Sequence, residues 1–161
     1  MKTLLVLRHA KSGWHGSVED HERPLTARGE RDGPAMGTLL RDYGLIPDLL
    51  ISSDAVRARL TAEAVAEAAG YPKEILLDAR LYMASPADIV ALLRTVPDDA
   101  ATAMIVGHNP GLEELVALLT GETCDMPTAA LAQVDLPIAR WRDLDASTRG
   151  TLEGQWRPQE R

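Results

Sequence analysis

The stretch TLLVLRHAKSGW, residues 3–14, runs four consecutive apolar side chains, Leu4 to Leu7, straight into Arg8 and His9. A run this short and apolar at every position reads as a strand buried on both faces rather than one. Such a strand belongs inside a sheet that helices cover, and it delivers Arg8 and His9 to the sheet's edge.

The same pattern recurs outward along the chain. DLLIS (48–52), EILL (74–77) and TAMIV (102–106) are further short apolar runs. They alternate with segments of helical spacing within 26–42 and 54–69, from about 86 to 94, and from about 110 to 119. A β-α unit repeated four times predicts an α/β fold with helices on both faces of the sheet. ALAQVDL (130–136) and short pieces near 139–142 and 152–156 read as additional strands, with DASTRG (145–150) as a hairpin loop. Helix boundaries have local causes. Thr26 is placed to N-cap the first helix with Glu30 nearby, while Ser85 before Pro86 and Asn109 before Pro110 put a capping side chain ahead of proline. Gly44 and Gly70 are C-terminal stops.

Composition sets outer bounds. With 161 residues, 45% hydrophobic and 25% charged, the chain is expected to form one domain over 1–161 with a sizeable core. Phe is absent and aromatics are 4%, so Leu, Val, Ile, Ala and Met must build that core. A net charge of −7 repels a phosphate backbone, which argues against nucleic acid as a partner. Cys124 is the single cysteine, which excludes an internal disulfide, and its acidic setting GETCDMP marks it as structural rather than nucleophilic. No run reaches the length of a membrane span or a secretory core. The expectation is a soluble, cytoplasmic protein with no membrane partner.

Ligands of open α/β sheets bind beyond the carboxyl ends of the strands. Three strands here end in notable groups: Arg8 and His9, then Ser52 and Ser53 with Arg57 soon after, then Gly107, His108 and Asn109. Arginine presents a charged planar fork suited to phosphate oxygens. Neutral imidazole is a nucleophile at pH 7. One histidine can therefore attack phosphorus while the other, with the arginines, stabilises the charge that develops on the phosphoryl oxygens. The helix opening at Asn109 directs unpaired N–H groups toward the same edge. Each group alone has an ordinary reading as a polar strand end, a solvated helix face or a capped turn. Three strand ends that carry phosphate-compatible groups are harder to dismiss. His15 and His21, with Asp20 and Glu22, match no metal-ligand spacing, and no metal site is expected.

These residues resemble the histidine phosphatase superfamily, also called phosphoglycerate mutase-like. LRHA (7–10) is similar to its strand-terminal Arg-His signature, with Ala10 where Gly is commonest. PLTARG (24–29) resembles the segment opening its first helix, SDAVRARLT (53–61) its Ser-x-x-x-Arg-Ala-x-x-Thr motif, and GHNP (107–110) its second histidine block. The short length and the RHAKSGW form look most like the SixA-type phosphohistidine phosphatases. The resemblance implies a three-layer α/β/α sandwich with a predominantly parallel central sheet. It also implies that His9 is the nucleophile and becomes phosphorylated, with Arg8, Arg57 and His108 completing the phosphate pocket and no metal or organic cofactor. Ser12 and Asn109 are further candidates for contact with substrate.

Two departures bear on chemistry. Many relatives place a glutamate after the third strand as general acid, where LLDARLYMAS (76–85) offers Arg80 and, nearby, only Asp78. Arg59 and Leu60 stand where Gln is frequent. An alkoxide leaving group needs a proton donor far more than imidazole does. A phosphohistidine carried on a protein is thus the expected substrate. The alternatives are a small phosphorylated substrate, hydrolysed as a phosphomonoester with Asp78 as acid, and a noncatalytic phosphate-binding module.

Overall fold

Leu4, Leu5, Val6 and Leu7 are completely buried and alternate between two cores. The computed structural model describes residues 1–14 and 16–158; His15, one of the two loop histidines weighed above, lies outside the described residues, as do residues 159–161. The chain runs β1 (Lys2–Arg8), α1 (Ala27–Asp42), β2 (Leu49–Ser52), α2 (Val56–Ala69), β3 (Leu76–Leu77), α3 (Pro86–Leu93), β4 (Thr102–Gly107), α4 (Gly111–Thr120), β5 (Leu131–Leu136) and β6 (Thr151–Trp156). Its six-stranded sheet has the order β3-β2-β4-β1-β5-β6. β1, β2, β3 and β4 pair in parallel, whereas β5 pairs antiparallel with β1 and β6 antiparallel with β5.

The period of two along β1 sends Leu4 and Val6 to one face and Leu5 and Leu7 to the other. Leu4 and Val6 meet Ile89 and Leu93 of α3 and Leu112 and Leu115 of α4. Leu5 and Leu7 meet Met36 and Leu40 of α1 and Val65 of α2. This is the three-layer α/β/α arrangement. Each wholly buried leucine contributes about 2–3 kcal/mol of transfer free energy. Two glycines permit close approaches that a side chain would block. A Cβ on Gly37 of α1 would sit 2.4 Å from the Val65 carbonyl of α2, and one on Gly29 would sit 2.2 Å from the Lys11 carbonyl. The second contact holds the start of α1 against the loop that follows His9. Thr26 completes that junction: its backbone N–H donates to the Lys11 carbonyl at 2.9 Å and its Oγ1 accepts from Gly29 at 3.2 Å as the N-cap.

The structure differs from the sequence reading in three places. EILL shrinks to a two-residue strand, because Leu76 and Leu77 sit at the sheet edge, exposed, with only Ile51 and Ser52 of β2 as partners. The piece near 139–142 is not a strand but leads into a 3-10 turn at Trp141–Asp143. Its tertiary anchor decides this, for the buried Trp141 indole donates to the Ala100 carbonyl at 2.7 Å. The N-cap position of α4 falls on Pro110, one residue later than expected, yet the capping side chain is still that of Asn109: its Oδ1 accepts from the Glu113 N–H at 3.3 Å while its amide nitrogen donates to the Met126 carbonyl at 2.8 Å. Ser85 behaves as its sequence suggests and forms a full capping box with Asp88.

Candidate active site

The edge where β1, β2 and β4 end brings His9, Arg57, Ser53 and His108 together. His9 is pinned by its backbone, with its N–H donating to the Gly107 carbonyl at 3.1 Å and its carbonyl accepting from Ala129 at 3.0 Å. The residue is buried, at 5% exposure, and Nδ1 lies 2.8 Å from the Ala10 carbonyl. A carbonyl oxygen only accepts, so Nδ1 must carry the hydrogen and Nε2 of the neutral ring holds a lone pair. Arg57 Nε approaches that Nε2 at 3.4 Å. Burial above all, with Arg57, Arg8 and Arg23 adding, pushes the His9 pKa down to about 4 against the opposing bond to Ala10. The ring is therefore neutral at pH 7, with the lone pair on Nε2.

Arg57 occupies the first turn of α2 and is buried. Its Nη1 donates to the Asp20 carbonyl at 2.7 Å and its Nη2 to Asp20 Oδ2 at 3.1 Å. One turn on, Thr61 Oγ1 donates to the Arg57 carbonyl at 2.7 Å and accepts from the Ala10 N–H at 2.9 Å. That hydroxyl stitches α2 to the residue beside His9, which gives Thr61 of the SDAVRARLT segment its structural purpose.

The His108 ring lies 5.2 Å from that of His9, centroid to centroid. Its Nε2 is 2.8 Å from Ser53 Oγ, a hydroxyl that also accepts from the Ala55 N–H at 3.2 Å. Burial first, then the fields of His9 and Arg57, hold the His108 pKa down to about 3. Arg8 donates through Nη1 to the Met126 carbonyl at 3.2 Å, and burial lowers its pKa from the usual arginine value. Among the described residues, Arg8 Nε and His108 Nδ1 are the only buried side-chain nitrogens or oxygens without a hydrogen-bond partner. An unpaired buried polar group costs about 1–3 kcal/mol, and two beside one imidazole constitute a site that an oxyanion would satisfy.

Several contributors were not legible beforehand. The 3-10 turn Asp20–Glu22 places the Asp20 carboxylate between Arg57, Arg23 Nε at 3.0 Å and the Tyr82 hydroxyl. The Tyr82 hydrogen bond chiefly, then the two arginines, draw the Asp20 carboxyl down to about 2. Tyr82 also packs its ring against His108, with centroids 5.4 Å apart in a T shape. Arg23 stands under the exposed Trp14, its guanidinium carbon 4.4 Å from the ring centroid. The available signal was position alone: Arg23 immediately precedes PLTARG, and Tyr82 follows the third strand.

The structure places the remaining candidates as follows. Ser12 Oγ accepts from Arg23 Nη1 at 3.1 Å and so steadies that arginine. Both ends of the Asn109 amide are used inside the protein, since its Oδ1 accepts from the Glu113 N–H at 3.3 Å while its nitrogen binds Met126. Asp78 is paired rather than free: Arg80 donates to it through Nε at 3.0 Å and Nη2 at 2.7 Å, and that pairing holds its carboxyl below the usual range, which disfavours the protonated form an acid needs. Cys124 is buried, its thiol raised chiefly by that burial, and it donates to Gln155 Oε1 at 3.4 Å. His21 Nε2 pairs with Asp54 at 2.9 Å, and among the described residues no three His, Cys, Asp or Glu side chains gather as a metal site. Among them, too, no helix is long and apolar enough to cross a membrane.

Comparison with known proteins gives the following. Residues 4–82 match the model of the histidine phosphatase superfamily (branch 1). An uncharacterised chloroplastic protein of Arabidopsis thaliana is 34% identical over 146 residues, covering 82% of this chain and 66% of the plant protein. A SixA structure from Nakamurella multipartitia superposes with a TM-score of 0.85 at 29% identity, covering 98% of this chain and 96% of that one. The protein histidine phosphatase SixA complexed with tungstate superposes with a TM-score of 0.82 at 26% identity, covering 97% of each chain.

Proposed function

The chain belongs to the histidine phosphatase superfamily, and we propose that it hydrolyses phosphohistidine on a protein substrate through a covalent phosphoryl intermediate on His9. The observation that carries this reading is a lone-pair nitrogen on His9 in the same buried pocket as two side-chain nitrogens that lack partners. His9 Nε2 carries the attacking lone pair because Nδ1 is committed to the Ala10 carbonyl, with Arg57 Nε its long, 3.4 Å donor until substrate oxygens draw that guanidinium away, and among the described residues Arg8 Nε and His108 Nδ1 are buried without partners.

In the first step the Nε2 lone pair attacks phosphorus and the bond to the leaving group breaks. Arg8, Arg57 and His108 bind the equatorial oxygens, where charge shifts in the transition state. Ser53 holds His108 with Nδ1 directed to the phosphoryl group by donating its own hydrogen to Nε2. Water then attacks the phosphorus on His9, and the ring leaves as neutral imidazole because Nδ1 has kept its hydrogen throughout.

The choice of a phosphoramidate over an ester rests on what the leaving group needs. Asp78, the acid on which ester hydrolysis would rely, is held ionised in a pair with Arg80. A phosphoramidate departs as a weak base and tolerates that loss. The carrier is read as a protein because Trp14 and Met83, at the borders of the Arg23 and Tyr82 contacts, are 64% and 65% exposed and offer apolar surface to a macromolecule.

Rapid mixing with a radiolabelled phosphohistidine protein tests the proposal. Wild type is expected to release phosphate and to carry a transient acid-labile label, both absent in His9→Ala. Turnover that persists in His9→Ala, or wild type that acts only on esters, would overturn it.

A further inference from the structure

Asp20 is a carboxylate in a place where phosphatase chemistry does not obviously want one. From the floor of the site outward, His9 and Arg57 are buried, whereas the Asp20 side chain is 39% exposed. The leaving group departs opposite to His9 Nε2 and toward solvent, and Asp20 is the carboxylate hydrogen-bonded to the solvent side of Arg57, the residue that contacts that nitrogen. Its Oδ2 accepts from Arg57 and Tyr82, but Oδ1 accepts, among the described residues, only from Arg23 Nε. A carboxylate oxygen has two acceptor directions, so Oδ1 keeps one open.

Phosphohistidine makes a demand that an ester does not. Its P–N bond breaks readily only if the ring nitrogen remote from phosphorus carries a hydrogen, because the ring then leaves as neutral imidazole instead of an anion. The enzyme meets that demand for its own phosphorylated ring, where the Ala10 carbonyl holds the Nδ1 hydrogen of His9. We infer that Asp20 does the same for the substrate: its open Oδ1 direction accepts the remote N–H of the substrate's phosphorylated imidazole and selects leaving groups that bring such a hydrogen. The electron pair of the breaking P–N bond then returns to the substrate ring nitrogen, the remote hydrogen stays in place, and no general acid is consumed. The negative charge on Asp20 favours the cationic ring and disfavours substrates with a second anionic group near the phosphoryl, such as a carboxylate or a further phosphate.

This inference rests on the phosphohistidine reading, and the test separates the two. The kcat/KM values of wild type, Asp20→Asn and Asp20→Glu are measured on a phosphohistidine peptide and on p-nitrophenyl phosphate, whose leaving group has no N–H. A charge-assisted hydrogen bond made in the transition state predicts that the peptide-to-aryl ratio falls about tenfold or more in Asp20→Asn. Asp20→Glu, which keeps the carboxylate, is expected to retain the larger part of the ratio. If both substrates slow in step and the ratio stays within about threefold, Asp20 merely props Arg57 and the inference fails while the phosphohistidine reading stands. A ratio as low in Asp20→Glu as in Asp20→Asn also overturns it. Wild type that hydrolyses the aryl ester but not the peptide removes the reading beneath it, before any substitution is examined.

Discussion

Replacing Arg57 tests how the site divides its work between catalysis and folding. Arg57→Ala removes the 3.4 Å contact with His9 Nε2 and the two donors at 2.7 and 3.1 Å that hold the Asp20 turn. Loss of one preorganised donor to a developing oxyanion costs about 2–4 kcal/mol, or about 30- to 1,000-fold in rate. The stability cost should be far smaller, because the Arg57–Asp20 pair ends on a carboxylate that solvent reaches and such pairs contribute about 1 kcal/mol or less. Arg57→Lys keeps a charge but not the fork, and should recover little of the rate. The assay is kcat/KM on a phosphohistidine peptide beside thermal unfolding of the same samples. Because Arg57 is one of the charges that lower the His9 pKa, the Arg57→Ala profile should also extend its acid limb toward higher pH. A rate within about threefold of wild type, or a rate loss matched by unfolding, would refute the reasoning.

Two other outcomes follow from charge and burial. His9 and His108 have folded pKa values of about 4 and about 3, below the ordinary histidine value, so the unfolded chain binds more protons as pH falls. Stability should therefore be full above about pH 6.5 and decline as the medium is acidified toward 4, a trend that His108→Gln should flatten in denaturant titrations at several pH values. A stability unchanged between pH 7 and 5 would contradict the buried neutral rings. Asp78→Asn should alter hydrolysis of either substrate class by less than about threefold, as the carboxylate is already tied to Arg80 and asparagine can still cap the turn at Ala79–Leu81. A tenfold loss on esters alone would restore Asp78 as an acid.

How much was readable in advance depends on how local the cause was. The alternation of Leu4 to Leu7 into two cores follows from a period of two and from helices on both sides, and a short wholly apolar run already demands that arrangement. The Ser85 cap is set by residues three apart, and it formed as written. Trp141 and EILL went otherwise because their outcome depends on partners far along the chain: the Ala100 carbonyl and a four-residue β2.

The strand ends show the same division. A buried strand that stops on Arg8 and His9, another on Ser53 and a third on His108 can be found by reading, since parallel strands share the edge at which they end. The Asp20, Arg23 and Tyr82 cluster could not, for it joins a polar loop without periodicity to a residue 62 positions away. Nor does the sequence say which nitrogen of His9 bears the hydrogen. The sequence by itself determined the sheet, its covering helices and the identity of the groups at its edge, because those depend on local pattern and burial. Only the tertiary structure decided the tautomer of His9, the burial of Arg8 Nε and His108 Nδ1 without partners among the described residues, and the placing of the Asp20 carboxylate against Arg57, because each is a hydrogen bond made, or left unmade, between groups that only folding brings within about 3 Å.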